Sequence, residues 1–170
     1  MTNVAQAQTT FKAVSSKWSS SANLVPILNY QVISDSTVEC IGGLAPDFIG
    51  DLIIPNEVTY NGNTYKVTGI GSGAFRNHSG IHYVYLGWMY DLNYISSNAF
   101  YGCENISRVY IPGCCKNVFS YAFAYCTNLN GINVADGVDS IWTHAFHGCN
   151  YIDTIRLGNT VPGEQVNVVQ

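Results

Sequence analysis

Charge is what this chain has least of. Asp, Glu, Lys and Arg make up 11% of its 170 residues, less than half the share of about 25% in an ordinary globular domain. Because 47% of the residues are hydrophobic, this excludes a disordered chain, which would combine low hydrophobicity with high charge. Lys and Arg number seven and the formal net charge is −4. Nucleic-acid binding through a basic patch is therefore excluded too, since that mode neutralises phosphates with clustered cations. No apolar run approaches the roughly 18 residues of a membrane-spanning helix. The six cysteines contain no C-x-x-C pair, which argues against a structural zinc site with closely paired ligands. The G-x-S-x-G, H-E-x-x-H and P-loop patterns are missing as well. The glycine-rich stretch Gly69-Ile70-Gly71-Ser72-Gly73 lacks the flanking helix and distant acidic residue of a nucleotide-binding loop.

What is present is a repeat, together with twelve tyrosines. Cys103, Cys126 and Cys149 are spaced by 23 and 23 residues, and Phe75, Phe100, Phe123 and Phe146 by 25, 23 and 23. The units read IGSGAFRNHSGIHYVYL from Ile70, ISSNAFYGCENISRVYI from Ile95, VFSYAFAYCTNLNGINV from Val118 and IWTHAFHGCNYIDTIRL from Ile141. A unit this short has no core of its own and must bury its apolar face against its neighbours. Val84-Tyr85-Leu86, Val109-Tyr110-Ile111, Ile132-Asn133-Val134 and Ile155-Arg156-Leu157 carry the period of 2 that marks a half-buried strand. Stacked in register, they predict a parallel sheet with a coil-to-coil step of about 4.8 Å. The Ala-Phe segment is too short for a full helix and is expected to make one helical or 3₁₀ turn, with the phenylalanines in an interior column.

The unit I-x-x-x-A-F-x-x-C-x-x-L-x-x-I-x-L, as it stands in residues 70–158, resembles the BspA-type leucine-rich repeat of surface and secreted proteins. The resemblance implies an α/β repeat solenoid: a short, right-handed leucine-rich-repeat solenoid with a parallel β-sheet and an N-terminal β-hairpin cap. Asp51 to Ile54 followed by Pro55 is similar to the entry strand of that family. Residues 24–69 are expected to be the cap, with strands over 28–34, 37–41, 58–60 and 64–67; Asn61-Gly62 between alternating segments is a hairpin signal. Three departures stand out: His78 in place of the repeat cysteine, Cys114-Cys115 after Pro112, and a linker from Gly87 to Tyr94 two residues longer than its counterparts. Residues 1–23 are expected to be a flexible leader. Within it, Val4-Ala5-Gln6-Ala7 has the shape of a signal-peptidase site, so that an upstream export segment or a chance match are both open. Residues 159–170 are expected to be a short tail. A solenoid end needs a cap, so this tail either forms a last strand or leaves an edge for a homodimer through the C-terminal coil.

The chemistry-bearing residues are then weighed against the repeat. His144 and His147 beside Cys149 have plausible metal-ligand types. Their equivalents are Gly73, Asn98 and Tyr121, and Arg76, Tyr101 and Ala124, which are variable positions. The two imidazoles and the thiol are expected to point in different directions, so neither a metal nor a cofactor is expected. Cys103, Cys126 and Cys149 are expected to be buried and reduced, since a free thiol is a good small hydrophobe. Cys114-Cys115 is expected to expose at least one reactive thiol. Asn77-His78-Ser79 and Asn105-Ile106-Ser107 match the glycosylation sequon, a pattern common by chance. Asp47, Asp51, Asp91, Asp136, Asp139 and Asp153 are scattered over different turns, against a glycan-cleaving enzyme.

The outward face of the strands remains. Tyr83, Tyr85, Arg108, Tyr110, Asn133 and Arg156 are the expected ligand-binding residues, because tyrosine brings a large contact area at low entropy cost. The competing account is that tyrosine on a sheet serves packing and strand propensity. The expected function, resting mainly on the resemblance, is a non-catalytic, secreted or cell-surface module that binds a host or matrix protein. A structural spacer within a larger surface protein is the alternative, and a glycan-binding protein a remote one.

Overall fold

A computed structural model describes residues 9–13, 26–152, 154–157 and 167–168, with side chains for 9–13 and 26–152. The strands are β1 (Thr10–Ala13), β2 (Leu28–Val32), β3 (Thr37–Gly42), β4 (Gly50–Ile53), β5 (Glu57–Tyr60), β6 (Asn63–Ile70), β7 (Ile81–Tyr85), β8 (Tyr94–Ile95), β9 (Arg108–Ile111), β10 (Asn117–Val118), β11 (Gly131–Val134), β12 (Ser140–Ile141), β13 (Thr154–Leu157) and β14 (Asn167–Val168). From β6 onward the chain visits two sheets alternately. One sheet runs β1-β2-β3-β6-β8-β10-β12-β14 with β5 paired to β6, and the other runs β13-β11-β9-β7-β4. Each coil thus adds one strand to each sheet, and Val118↔Ile141 and Ile132↔Val109 hold the parallel register.

The alternation in the sequence becomes burial. Val84, Leu86, Val109, Ile111, Ile132 and Val134 are all less than 5% exposed. Phe75, Phe100, Phe123 and Phe146 form a continuous stack, with successive ring centroids 5.2, 4.9 and 5.5 Å apart and planes within 13° of parallel. The repeat cysteine has a specific task beside it. Cys103, Cys126 and Cys149 each donate an S–H to a carbonyl of the preceding coil, on Phe75 at 2.9 Å, Phe100 at 3.3 Å and Phe123 at 3.1 Å. His78, at the equivalent position of the first unit, instead bonds the Ala45 carbonyl of the cap through Nε2 at 2.9 Å.

No helix occurs among the described residues, which corrects the α/β label and the expected helical turn; the repeat solenoid itself stands. The reason lies in the direction of the backbone donors. A helix uses its N–H groups within one segment, but here alternate N–H groups of the Ala-Phe segment bond the next coil. Gly73, Phe75 and Asn77 donate to Ser97, Ala99 and Tyr101, and Phe100 and Gly102 donate to Ala122 and Ala124. The alternation requires two left-handed residues per coil. They are Gly73 and Asn77, Asn98 and Gly102, Tyr121 and Tyr125, and His144 and Gly148, all with φ between 58° and 72°. Glycine and asparagine suit that conformation, which costs other L-residues about 1–2 kcal/mol. Tyr121, Tyr125 and His144 are the bulky exceptions.

The cap follows the expected strands and includes one more. Asn61 and Gly62 take φ of 49° and 80°, the turn that closes β5 on β6. Residues 10–13 do not belong to a leader: β1 pairs antiparallel with β2, and Phe11 is buried, its ring stacked on Tyr60 at 4.3 Å. The remaining residues of the expected leader, 1–8 and 14–23, lie outside the described residues. At the other end β14 pairs with β12, the last-strand alternative for the tail; the rest of the expected dimer edge, 158–166 and 169–170, lies outside them.

Cys114-Cys115 also differs from expectation. Cys115 is fully buried, and burial pushes its thiol up to about 12. Cys114 is half-buried, donates to the Met89 carbonyl at 2.9 Å and is likewise raised by burial. The turn after Pro112 folds inward because the Cys115 N–H bonds the Pro112 carbonyl.

Two outcomes are expected. Phe100→Ala and Phe123→Ala should each lower the unfolding free energy by about 3–5 kcal/mol in urea denaturation, the range for emptying a packed aromatic site. In native buffer, a thiol-reactive dye should label no more than Cys114 and Cys149, since Cys40, Cys103, Cys115 and Cys126 are fully buried; labelling of all six without denaturant would contradict this packing.

Candidate functional site

The outward residues of β7, β9 and β11 come together on one face. Tyr83 lies opposite Arg108, Arg108 opposite Gly131, and Tyr110 opposite Asn133, so equivalent side chains stand one strand spacing apart. Tyr83, Tyr85 and Tyr110 keep 42%, 44% and 41% of their surface exposed, and the rings of Tyr83 and Tyr85 lean together at 6.3 Å. These three, Arg108 and Asn133 line a single groove of about 950 Å³, at the upper end of the size range of ligand pockets, with Asn130 and Gly131 on its far side. Arg156 is placed beside Asn133 by the register of β13; its side chain lies outside the described residues.

Two groove residues were missed by reasoning from the strands alone. Trp88 and Tyr90 line the same groove and are exposed by 59% and 70%. Both sit in the linker from Gly87 to Tyr94, and its two extra residues were the available signal, since functional side chains concentrate on loops held by a rigid scaffold. The cap holds that loop in place. Asn56 Oδ1 accepts from the N–H groups of Tyr90 and Asp91 at 2.8 and 3.1 Å, and Asn56 Nδ2 donates to Asp91 Oδ2 at 3.0 Å. Lys66 Nζ donates to Asp91 Oδ1 at 2.8 Å. The Lys66 and Asn56 hydrogen bonds hold the Asp91 carboxyl below its ordinary value of 3.8.

Chemically this face is built to contact rather than to react. Five aromatic rings, two side-chain amides and one guanidinium line the groove, without a carboxylate, thiol or imidazole among them. Ring faces and amides offer broad apolar contact and paired donors and acceptors. The sequon asparagine Asn105 has its amide engaged, donating to the Ser79 carbonyl at 2.8 Å while its Oδ1 accepts from Asn128 at 2.9 Å.

The other sequence candidates lie away from the groove. His144 and His147 stand together on the edge formed by the Ala-Phe segments, with ring centroids 5.3 Å apart, which corrects the expectation that they diverge. Cys149 is not with them: its thiol is turned to the Phe123 carbonyl of the preceding coil. Among the described residues no group of three or more His, Cys, Asp or Glu is placed to share a metal ion.

The family model described as the BspA type leucine-rich repeat region matches residues 51–164 in six copies. Among solved structures, the chain is similar to a leucine-rich repeat protein from Bacteroides capillosus, with 24% identity over 79% of this chain and 96% of that one and a TM-score of 0.67. It is also similar to a leucine-rich repeat protein of T. pallidum, at 18% identity over 77% and 78% with a TM-score of 0.52. A leucine-rich cell surface protein from Faecalibacterium prausnitzii shares 20% identity over 76% of this chain and 41% of that one, with a TM-score of 0.50. No curated protein matches the chain. At these identities the structural likenesses show the fold.

The cap contact carries a pH prediction. The Asp91 carboxyl is depressed in the folded state, so its contribution is fully present above the ordinary value of 3.8 and is lost as pH falls through the lower folded value. The Trp88 indole NMR signal should hold its folded position at neutral pH and shift only below pH 3.8. In Asn56→Ala it should already be shifted at neutral pH.

Proposed function

The chain belongs to the BspA-type leucine-rich repeat family, and from that premise we propose that it is a non-catalytic module that binds a protein partner through the outward face of β7, β9 and β11. The observation that carries this reading is the groove itself. Tyr83, Tyr85, Trp88, Tyr90 and Tyr110 keep large parts of their rings in solvent, although the core beneath is already filled by the phenylalanine stack and the aliphatic strand residues. Tyrosine and tryptophan are the residue types that most often dominate binding energy, because they bring large, stiff, amphipathic contact surfaces. Arg108, with Arg156 expected beside it, adds orientation and suits a partner with acidic or carbonyl-rich edges.

The same reading places the protein at the cell surface or outside the cell, where a repeat domain meets host, matrix or neighbouring-cell proteins. The name of the F. prausnitzii neighbour, a cell surface protein, supports this. The six free cysteines are compatible with it, because four are fully buried and burial raises the Cys40 and Cys103 thiols to about 12. Reactivity needs an accessible thiolate.

The test is a binding screen of the chain by biolayer interferometry against extracellular-matrix and cell-surface proteins, repeated with Tyr83→Ser, Tyr85→Ser and Tyr110→Ser combined. The triple variant should fold, since exposed substitutions typically change stability by about 0.5 kcal/mol each, and should lose at least tenfold in affinity for any partner found. A partner bound equally by the triple variant would place recognition elsewhere on the molecule.

A further inference from the structure

The edge formed by the Ala-Phe segments carries a second, separate arrangement, in its last coils. Tyr121, Tyr125 and His144 occupy left-handed positions with φ of 59°, 58° and 61°, where the earlier coils place Gly73, Asn77, Asn98 and Gly102. These three unfavourable side chains are not scattered. Tyr121 lies flat on the His144 ring at 5.0 Å, with an interplanar angle of 6°. Tyr121 and Tyr125 both meet His147 edge-on, at 6.4 and 5.4 Å. Bulky residues held in strained backbone conformations collect where a site needs them, and here they brace two imidazoles.

The backbone fixes the same pair. The His147 N–H donates to the His144 carbonyl at 3.0 Å, and the His147 carbonyl accepts the Tyr125 N–H from the preceding coil at 2.7 Å. His144 and His147 are thus the first and last residues of a hydrogen-bonded turn, which brings their Cα atoms within 7 Å. The corresponding turns hold Gly73 and Arg76, Asn98 and Tyr101, and Tyr121 and Ala124, so only this coil presents two ligand-type side chains. Both imidazoles are exposed, and neither ring nitrogen has a hydrogen-bond partner among the described residues. With zinc–nitrogen bonds of about 2.0–2.1 Å, two imidazoles on one tetrahedral ion place their ring centres about 5 Å apart, and the centroids of His144 and His147 are 5.3 Å apart.

We propose that His144 and His147 form a surface site for a late first-row divalent ion such as Ni²⁺ or Zn²⁺, with Tyr121 and Tyr125 as the residues that position the rings. Imidazole suits these ions, and the remaining coordination positions belong to water or to a donor from a bound molecule. The site is independent of the tyrosine groove.

The test is isothermal titration of the full chain with Ni²⁺, an ion that favours imidazole, using variants that copy other coils and so preserve the turn. His144→Asn installs what Asn98 provides and His147→Ala what Ala124 provides. The wild type should bind one ion, each variant should weaken binding at least tenfold, and His82→Gln, an exposed histidine on another face, should leave it unchanged. His144→Asn should also keep or raise the melting temperature, because it relieves a strained residue. Absence of binding by the wild type, loss in only one of the two histidine variants, or loss in Cys149→Ser would overturn the assignment.

Discussion

Every coil of this protein is held by backbone hydrogen bonds that run along the solenoid axis, and this requirement shapes nearly all else. A parallel ladder links the coils in each of the two sheets, and a third series of N–H to carbonyl bonds links the Ala-Phe segments. Interior backbone groups left without partners are costly, so each coil must present its donors and acceptors at the same height as its neighbours. Phenylalanine stacks on phenylalanine because the ladders bring equivalent positions together. The cysteines follow the same logic, reaching back to a carbonyl of the previous coil.

The ladders also account for the shortage of charge. A coil has two inward-facing strand segments and an inward phenylalanine, alanine and thiol, and adjacent coils cover much of what remains. Few positions are left where a charged side chain would be fully solvated, and asparagine and serine serve many of them, as in the Ser79, Asn105 and Asn128 chain of bonds. Where charge does appear inside the structure's working parts, it is paired: Lys66 with Asp91 at 2.8 Å ties the long linker to the cap. That contact matters because the linker carries Trp88 and Tyr90 to the groove.

Legibility differed between scaffold and site for physical reasons. The phenylalanine column, the inward aliphatics and the hairpin at Asn61-Gly62 could be read because each depends on a spacing along the chain. Tyr83, Tyr85, Arg108, Tyr110 and Asn133 could be placed on one face from the period of 2 alone. Trp88 and Tyr90 could not, since a loop has no period and its path is set by Asn56, 34 residues earlier in the chain. The pairing of β1 with β2 escaped because Phe11 finds Tyr60 and Tyr65 only after the cap has closed.

The sequence by itself determined the repeat, its period near 23 residues and the set of residues that face inward, because a repeated unit this short can be stable only by stacking. It also determined that the chain lacks the patterns for nucleic-acid binding or a spanning helix. Only the tertiary structure decided that the Ala-Phe segment is not helical, that Cys115 turns inward, and that His144 and His147 converge. Those outcomes depend on where backbone donors point and on the sign of φ at single residues. Side-chain composition does not encode these when tyrosine or histidine stands where glycine would have announced a left-handed turn.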